Sequence, residues 1–131
     1  MGDATRREIL LVPHLFRASN IDSAARAAQL LQQAGIEVRL LEQEQMDVIE
    51  TNPVLCGLTR AKADDTAAAG CELVLVLGGD GTFLRAASYA RAQDIPVLGI
   101  NLGHVGFLAE GEASSLEKVI GQVIDRSYRV V

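Results

Sequence analysis

The sequence predicts an α/β domain of Rossmann-like type: a three-layer arrangement with a parallel sheet between helices. Three observations predict it. Strand-like and helix-like segments alternate along the chain. Leu73 to Leu77 reads Leu-Val-Leu-Val-Leu, an uninterrupted apolar strand of the kind buried on both faces of a parallel sheet. The chain has 131 residues, 49% of them hydrophobic and 22% charged, which fits one domain with its own core.

The elements follow in order. Ile9 to Val12 is a short apolar run read as a buried strand, stopped by Pro13. Asn20 offers an N-cap, and Ala24, Ala27, Ala28 and Leu31 then lie on one helical face, with Gly35 as the stop. Val38 to Leu41 is a second strand, so the chain opens as a βαβ unit. Residues 42–60 read as an irregular connection with an acidic, solvated character from Glu42 to Glu50. Ala61 to Ala69 favours a short helix ending at Gly70. After the Leu73–Leu77 strand and a glycine-rich turn, Phe83, Ala86, Ala87 and Ala90 mark a helix. Phe83 and Leu84 are expected in the core. Pro96 to Ile100 is a further strand, and Ser114 with Glu117 reads as a capping box for a last helix carrying Leu116, Val119, Ile120 and Val123. Tyr128 to Val131 looks like the start of another strand, which leads us to expect a first domain of a longer protein.

Charge and composition exclude several classes. The formal net charge is -5 and the pI about 4.9, which argues against a nucleic-acid partner needing a basic face. No stretch approaches the roughly 18 apolar residues of a membrane span, and the first residues lack a signal-peptide pattern. No membrane partner is expected. Cys56 and Cys71 read as free thiols of a reducing cytoplasm, with Cys71 a small buried residue. Arg6 and Arg7 read as a solvated tail. His104 reads as structural or solvent-facing, while His14 follows the first strand on the edge where such sheets meet ligands.

The strongest chemical signal is Gly78-Gly79-Asp80-Gly81-Thr82, between a buried strand and a helix. Glycines let a ligand approach the backbone closely. Successive N–H groups and the helix amino end then favour a phosphate. Thr82 is placed to cap the helix or to donate its hydroxyl to a phosphate oxygen. A carboxylate beside a phosphate is repelled, so Asp80 needs a reason to be there. Accepting a proton from an attacking hydroxyl, binding a ribose hydroxyl and holding Mg²⁺ through water are three such reasons, all within phosphoryl-transfer chemistry. A tight turn whose Asp caps the helix is the structural alternative. The Walker Gly-Lys-Ser/Thr pattern and the Gly-x-Gly-x-x-Gly fingerprint do not occur, which disfavours an ordinary P-loop NTPase or dehydrogenase.

This loop resembles the signature of a kinase superfamily that includes NAD kinases, lipid kinases and phosphofructokinases. The second motif separates them: Asn101-Leu102-Gly103-His104-Val105-Gly106-Phe107-Leu108 resembles the Asn-x-Gly-x-x-Gly-Phe-Leu segment of NAD kinases. The likeness is clear from Cys71 to Glu110 and implies the first domain of the NAD kinase/phosphofructokinase-like superfamily. By that resemblance the chemistry is phosphoryl transfer from ATP or polyphosphate to the 2′-hydroxyl of the adenosine ribose of NAD, with Mg²⁺ or another divalent metal. The resemblance makes Asp80 the catalytic proton acceptor. Gly78, Gly79, Asp80, Gly81, Thr82, Arg85, Asn101 and Phe107 line the NAD and nucleotide cleft. No metal-ligating residue is assigned. It further implies a β-rich second domain, whose Asn-Glu and Gly-Ser-Thr-Ala-Tyr segments are absent from residues 1–131. Catalysis is expected to need that domain, and the full-length form is expected to be a homo-oligomer. A lipid or sugar kinase and a stand-alone nucleotide-binding module are the alternatives.

Overall fold

The computed structural model describes residues 7–13, 18–42, 49–78, 80–100 and 109–125, with the backbone alone at 18–20, 80 and 109–115. Among these residues five strands form one sheet: β1 (Arg7–Pro13), β2 (Ile36–Leu41), β3 (Thr59–Ala61), β4 (Leu73–Leu77) and β5 (Val97–Ile100). Every pairing is parallel, in the order β3-β2-β1-β4-β5. Helices α1 (Ala18–Gln33), α2 (Asp80–Ala92) and α3 (Ala109–Asp125), with a 3-10 turn at Leu55–Gly57 ahead of β3, make up the rest of the element order.

The alternation of side chains along each strand sorts the core into two halves. Ile9, Leu11, Leu73, Leu75 and Leu77 share one face with the buried sides of α1 and α3. Leu10, Val12, Val74 and Val76 share the other with Ala86 and Ala90 of α2. The sheet is therefore covered on both faces, as its apolar strands require. On α1 the alanine and leucine stripe is fully buried as its spacing implies: Ala24, Ala27, Ala28 and Leu31. Gly35 takes φ +83, and its N–H donates to the Gln32 carbonyl at 3.0 Å, closing the helix. Asp94 takes the same role after α2, at φ 57. The Ile95 N–H returns to the Ala90 carbonyl at 3.0 Å and the Asp94 N–H to Arg91 at 3.2 Å.

Several expectations are corrected. There is no helix over 61–69. Instead Thr59–Ala61 forms β3 along β2, and 62–70 is a series of turns. A local interaction opposes helix there. Asp64 Oδ1 accepts both the Thr66 N–H at 2.8 Å and its hydroxyl at 2.6 Å, a local bond that competes with helix. Those same donors hold the Asp64 carboxyl below its ordinary range. Arg39 then donates to the carbonyls of Ala67 and Ala69, at 2.9 and 2.8 Å, which ties these turns to β2.

Helices α1 and α3 also begin earlier than expected, at Ala18 and Ala109. Asn20 and Ser114 are therefore inside helices rather than at their caps. Glu117 turns to α1, where its carboxylate meets Arg26 at 3.1 Å. Arg7 is no tail residue: it opens β1 and its guanidinium meets Glu72 at 2.6 Å. Arg6, His14, His104 and the expected strand 128–131 lie outside the described residues.

Cys71 is buried and Cys56 exposed, and both are free. Burial pushes the Cys71 thiol up to about 11, against the opposing pull of Arg39 and with a smaller push from Glu8. At pH 8 only about one Cys71 in a thousand is then a thiolate. Iodoacetamide on the native chain should add one group, at Cys56, and a second only after unfolding. Mass spectrometry of peptides checks this; native labelling of Cys71 at the rate of Cys56 would contradict it.

Candidate functional site

The sheet register levels three strand ends. Pro13 of β1 stands beside Leu77 of β4, and Leu77 beside Ile100 of β5. From β1 the chain moves outward through β2 to β3, whereas β4 leads to β5 on the opposite side. Strand order thus reverses between β1 and β4, the position where open α/β sheets bind ligands beyond their carboxyl ends. The glycine loop leaves the sheet there.

Gly78 is buried and tied down, its N–H donating to the Ile100 carbonyl at 3.0 Å. Two residues later the backbone is already helical at Asp80, the first residue of α2. The amino end of α2, with its positive dipole end, therefore starts at the switch point.

Gly81 is informative through what does not surround it. It is exposed. Among the described residues no heavy atom lies within 4 Å of where a side chain would begin, and its φ is not positive. Neither its own backbone geometry nor packing among the described residues requires glycine. A glycine in a helix costs about 1 kcal/mol relative to alanine. The residue suits a loop onto which something outside the chain settles closely.

The other sequence-derived site residues fall as follows. Thr82 is buried in the first turn of α2, inside the helix rather than at its cap. Arg85 is exposed one turn further on; its carbonyl accepts the Ser88 hydroxyl at 2.8 Å. Asp80 is described by its backbone, and Gly79, Asn101 and Phe107 lie outside the described residues. The described geometry thus brings Gly78, Asp80, Gly81, Thr82 and Arg85 to one sheet edge, and Ile100 carries the chain straight into Asn101.

Two residues expected in the core are not there. Leu84 is 72% exposed and Phe83 37% exposed, both beside the glycine loop. Phe83 covers a residue the sequence reading passed over. A Cβ at Gly99 would sit 2.9 Å from Phe83 Cδ2 and 3.1 Å from Cε2. The signal was available, since a glycine inside an apolar strand marks a close approach.

Among the described residues no group of three or more His, Cys, Asp or Glu is placed to hold a metal ion. No helix among them is long and apolar enough to cross a membrane.

Comparison with known proteins bears on this edge. The family model described as the ATP-NAD kinase N-terminal domain matches residues 9–128. An NAD kinase of Corynebacterium efficiens is 60% identical over 130 residues, covering 99% of this chain and 41% of the relative. An NAD kinase of Rhodococcus opacus is 50% identical over 139 residues, 98% of this chain and 43% of the relative. One of Mycolicibacterium paratuberculosis is 47% identical over 131 residues, 95% of this chain and 42% of the relative. The chain therefore spans about two fifths of the length of the curated relatives it matches.

Proposed function

Because this chain belongs to the ATP-NAD kinase N-terminal domain family, we propose that it forms the dinucleotide-facing part of an NAD kinase. The reaction is transfer of a phosphoryl group from ATP or polyphosphate to the 2′-hydroxyl of the adenosine ribose of NAD, giving NADP. The observation that carries this reading is the glycine loop at the switch point, with Gly81 open to an incoming ligand.

In this mechanism the backbone N–H groups at the start of α2 face negatively charged phosphate. Asp80 accepts the proton of the 2′-hydroxyl as that oxygen attacks. Gly81 lets the dinucleotide lie against the helix, and Arg85, Asn101 and Phe107 complete the contacts. A divalent cation such as Mg²⁺, when bound, supplies charge neutralisation of the donor phosphates. The β-rich second domain, a homo-oligomeric full-length form and a cytoplasmic location belong to the same proposal. Two free cysteines, one of them exposed, support a reducing compartment.

The test is NADP formation by the full-length polypeptide that carries this chain, with ATP and polyphosphate offered separately. Labelled phosphate on NAD supports the reading. Phosphate on a lipid or sugar instead, or NAD binding without turnover, would sink it.

Gly81→Ala separates fold from function. An alanine there meets no atom and favours helix, so thermal stability should rise by up to about 1 kcal/mol. NAD binding by the full-length polypeptide should fall at least tenfold. Calorimetric titration beside a thermal melt reads both. Unchanged affinity would remove Gly81 from the site.

A further inference from the structure

The start of α2 and the end of β5 meet at the carboxyl edge of the sheet, so the shape of that edge depends on how α2 sits on β5. Small side chains dominate the buried face of α2. Ala86 and Ala90 are buried against the sheet, with Tyr89 half-buried toward the far end. Alanines allow close approach but offer little to resist sliding, since they present no knob to a hole. At the loop end the arrangement differs. The Phe83 ring, in the first turn of α2, lies over Gly99, where even a Cβ would come within 2.9 Å of it. Gly99 pairs with Val76 of β4 and stands two residues before Asn101. A strand glycine is costly without a reason, and here the ring supplies one.

We infer that Phe83 seated on Gly99 is a positioning pair, fixing where the start of α2 sits against the end of β5 for binding of the dinucleotide. The inference rests on the kinase reading above. Phe83 need not touch substrate: it sets where α2 begins relative to the end of β5. Phosphoryl transfer depends on such placement, and a shift of about 1 Å can cost roughly 10²-fold in rate.

The test uses the full-length polypeptide that carries this chain. Steady-state NADP formation is measured at saturating ATP while NAD is varied, beside a thermal melt of each variant. Gly99→Ala pushes the ring aside and should lower kcat/KM for NAD at least tenfold. Adding Phe83→Leu, a smaller side chain, should make room for the new methyl and recover most of that loss, as expected for residues in direct contact. A purely structural contact would instead lower the melting temperature and leave kcat/KM of the folded protein unchanged. That outcome overturns the inference. So does a double variant whose losses simply add. Should Gly99→Ala fail to fold, Phe83→Leu alone is read, with a loss of at least threefold in kcat/KM expected and none overturning the pair. An unsubstituted protein that makes no NADP overturns the kinase reading itself, and the pair's role with it.

Discussion

Asp80→Asn in the full-length polypeptide is expected to lower the rate of NADP formation by about 10²–10⁴-fold, the usual contribution of a positioned proton acceptor. Asparagine keeps the size and the hydrogen-bonding oxygen but cannot take the hydroxyl proton at neutral pH. Because a carboxylate repels phosphate, the same change relieves a repulsion. The apparent KM for ATP should therefore stay level or fall while kcat collapses. Stability should change by less than about 1 kcal/mol, since Asp80 begins α2 and asparagine is also tolerated in a first helical turn. The two other roles open to the carboxylate give different signatures. A ribose contact would raise KM for NAD. A water-mediated hold on the cation would be partly recovered by raising the Mg²⁺ concentration. Turnover within threefold of the unsubstituted protein would remove Asp80 from the chemistry.

Arg7→Ala should destabilise the chain by about 3 kcal/mol, in the range for breaking a largely buried ion pair. Arg7 reaches Glu72 with Nε at 2.6 Å and Nη2 at 2.8 Å. The same guanidinium donates to the carbonyls of Ile124 at 2.9 Å and Val123 at 2.7 Å. Those carbonyls belong to the last turn of α3, which has no partners for them within the helix. The Arg7 side chain is only 16% exposed, so water replaces these bonds poorly. For a domain of this size the loss amounts to roughly 10 °C in melting temperature. Arg7→Lys should recover only part of it, because an ammonium cannot form the two-pronged pair. Arg26 is the control. Its pair with Glu117 is half exposed on both sides, and such pairs contribute about 0–1 kcal/mol. A drop below about 2 °C for Arg7→Ala would contradict this account.

These cases show what was legible in the sequence. Leu73–Leu77 is an unbroken apolar run bounded by polar and glycine residues, so its strand could be read directly and its ends agree with the structure. The stripe on α1 was legible because one helix face meets one sheet face. The site's anchor was legible because a glycine loop between a buried strand and a helix has few geometries open to it. What could not be read depends on distant partners. Arg7 looks like a charged tail until Glu72 and the end of α3 arrive, 65 and 117 residues away. The alanines at 67–69 favour a helix locally, but Asp64 takes the Thr66 N–H and hydroxyl and Arg39, distant in sequence on β2, anchors the turns through the Ala67 and Ala69 carbonyls. Thr59–Ala61 carries no apolar pattern and pairs with β2 alone, so nothing local announces a strand. Phe83 shares a helical spacing with Ala86 and Ala90, yet it covers the glycine of a half-buried strand rather than a full core.

The Arg7 bonds to the end of α3 also bear on how long the folded chain lasts. Closing a contact across 117 residues is entropically slow compared with forming β1 against α1 and β2. A contact that forms after the rate-limiting step leaves the refolding rate nearly unchanged when lost and speeds unfolding instead, which is the result expected for Arg7→Ala in stopped-flow kinetics. This clasp between the two ends of the domain is then chiefly a brake on escape from the native state, setting the lifetime of the fold more than the ease of reaching it.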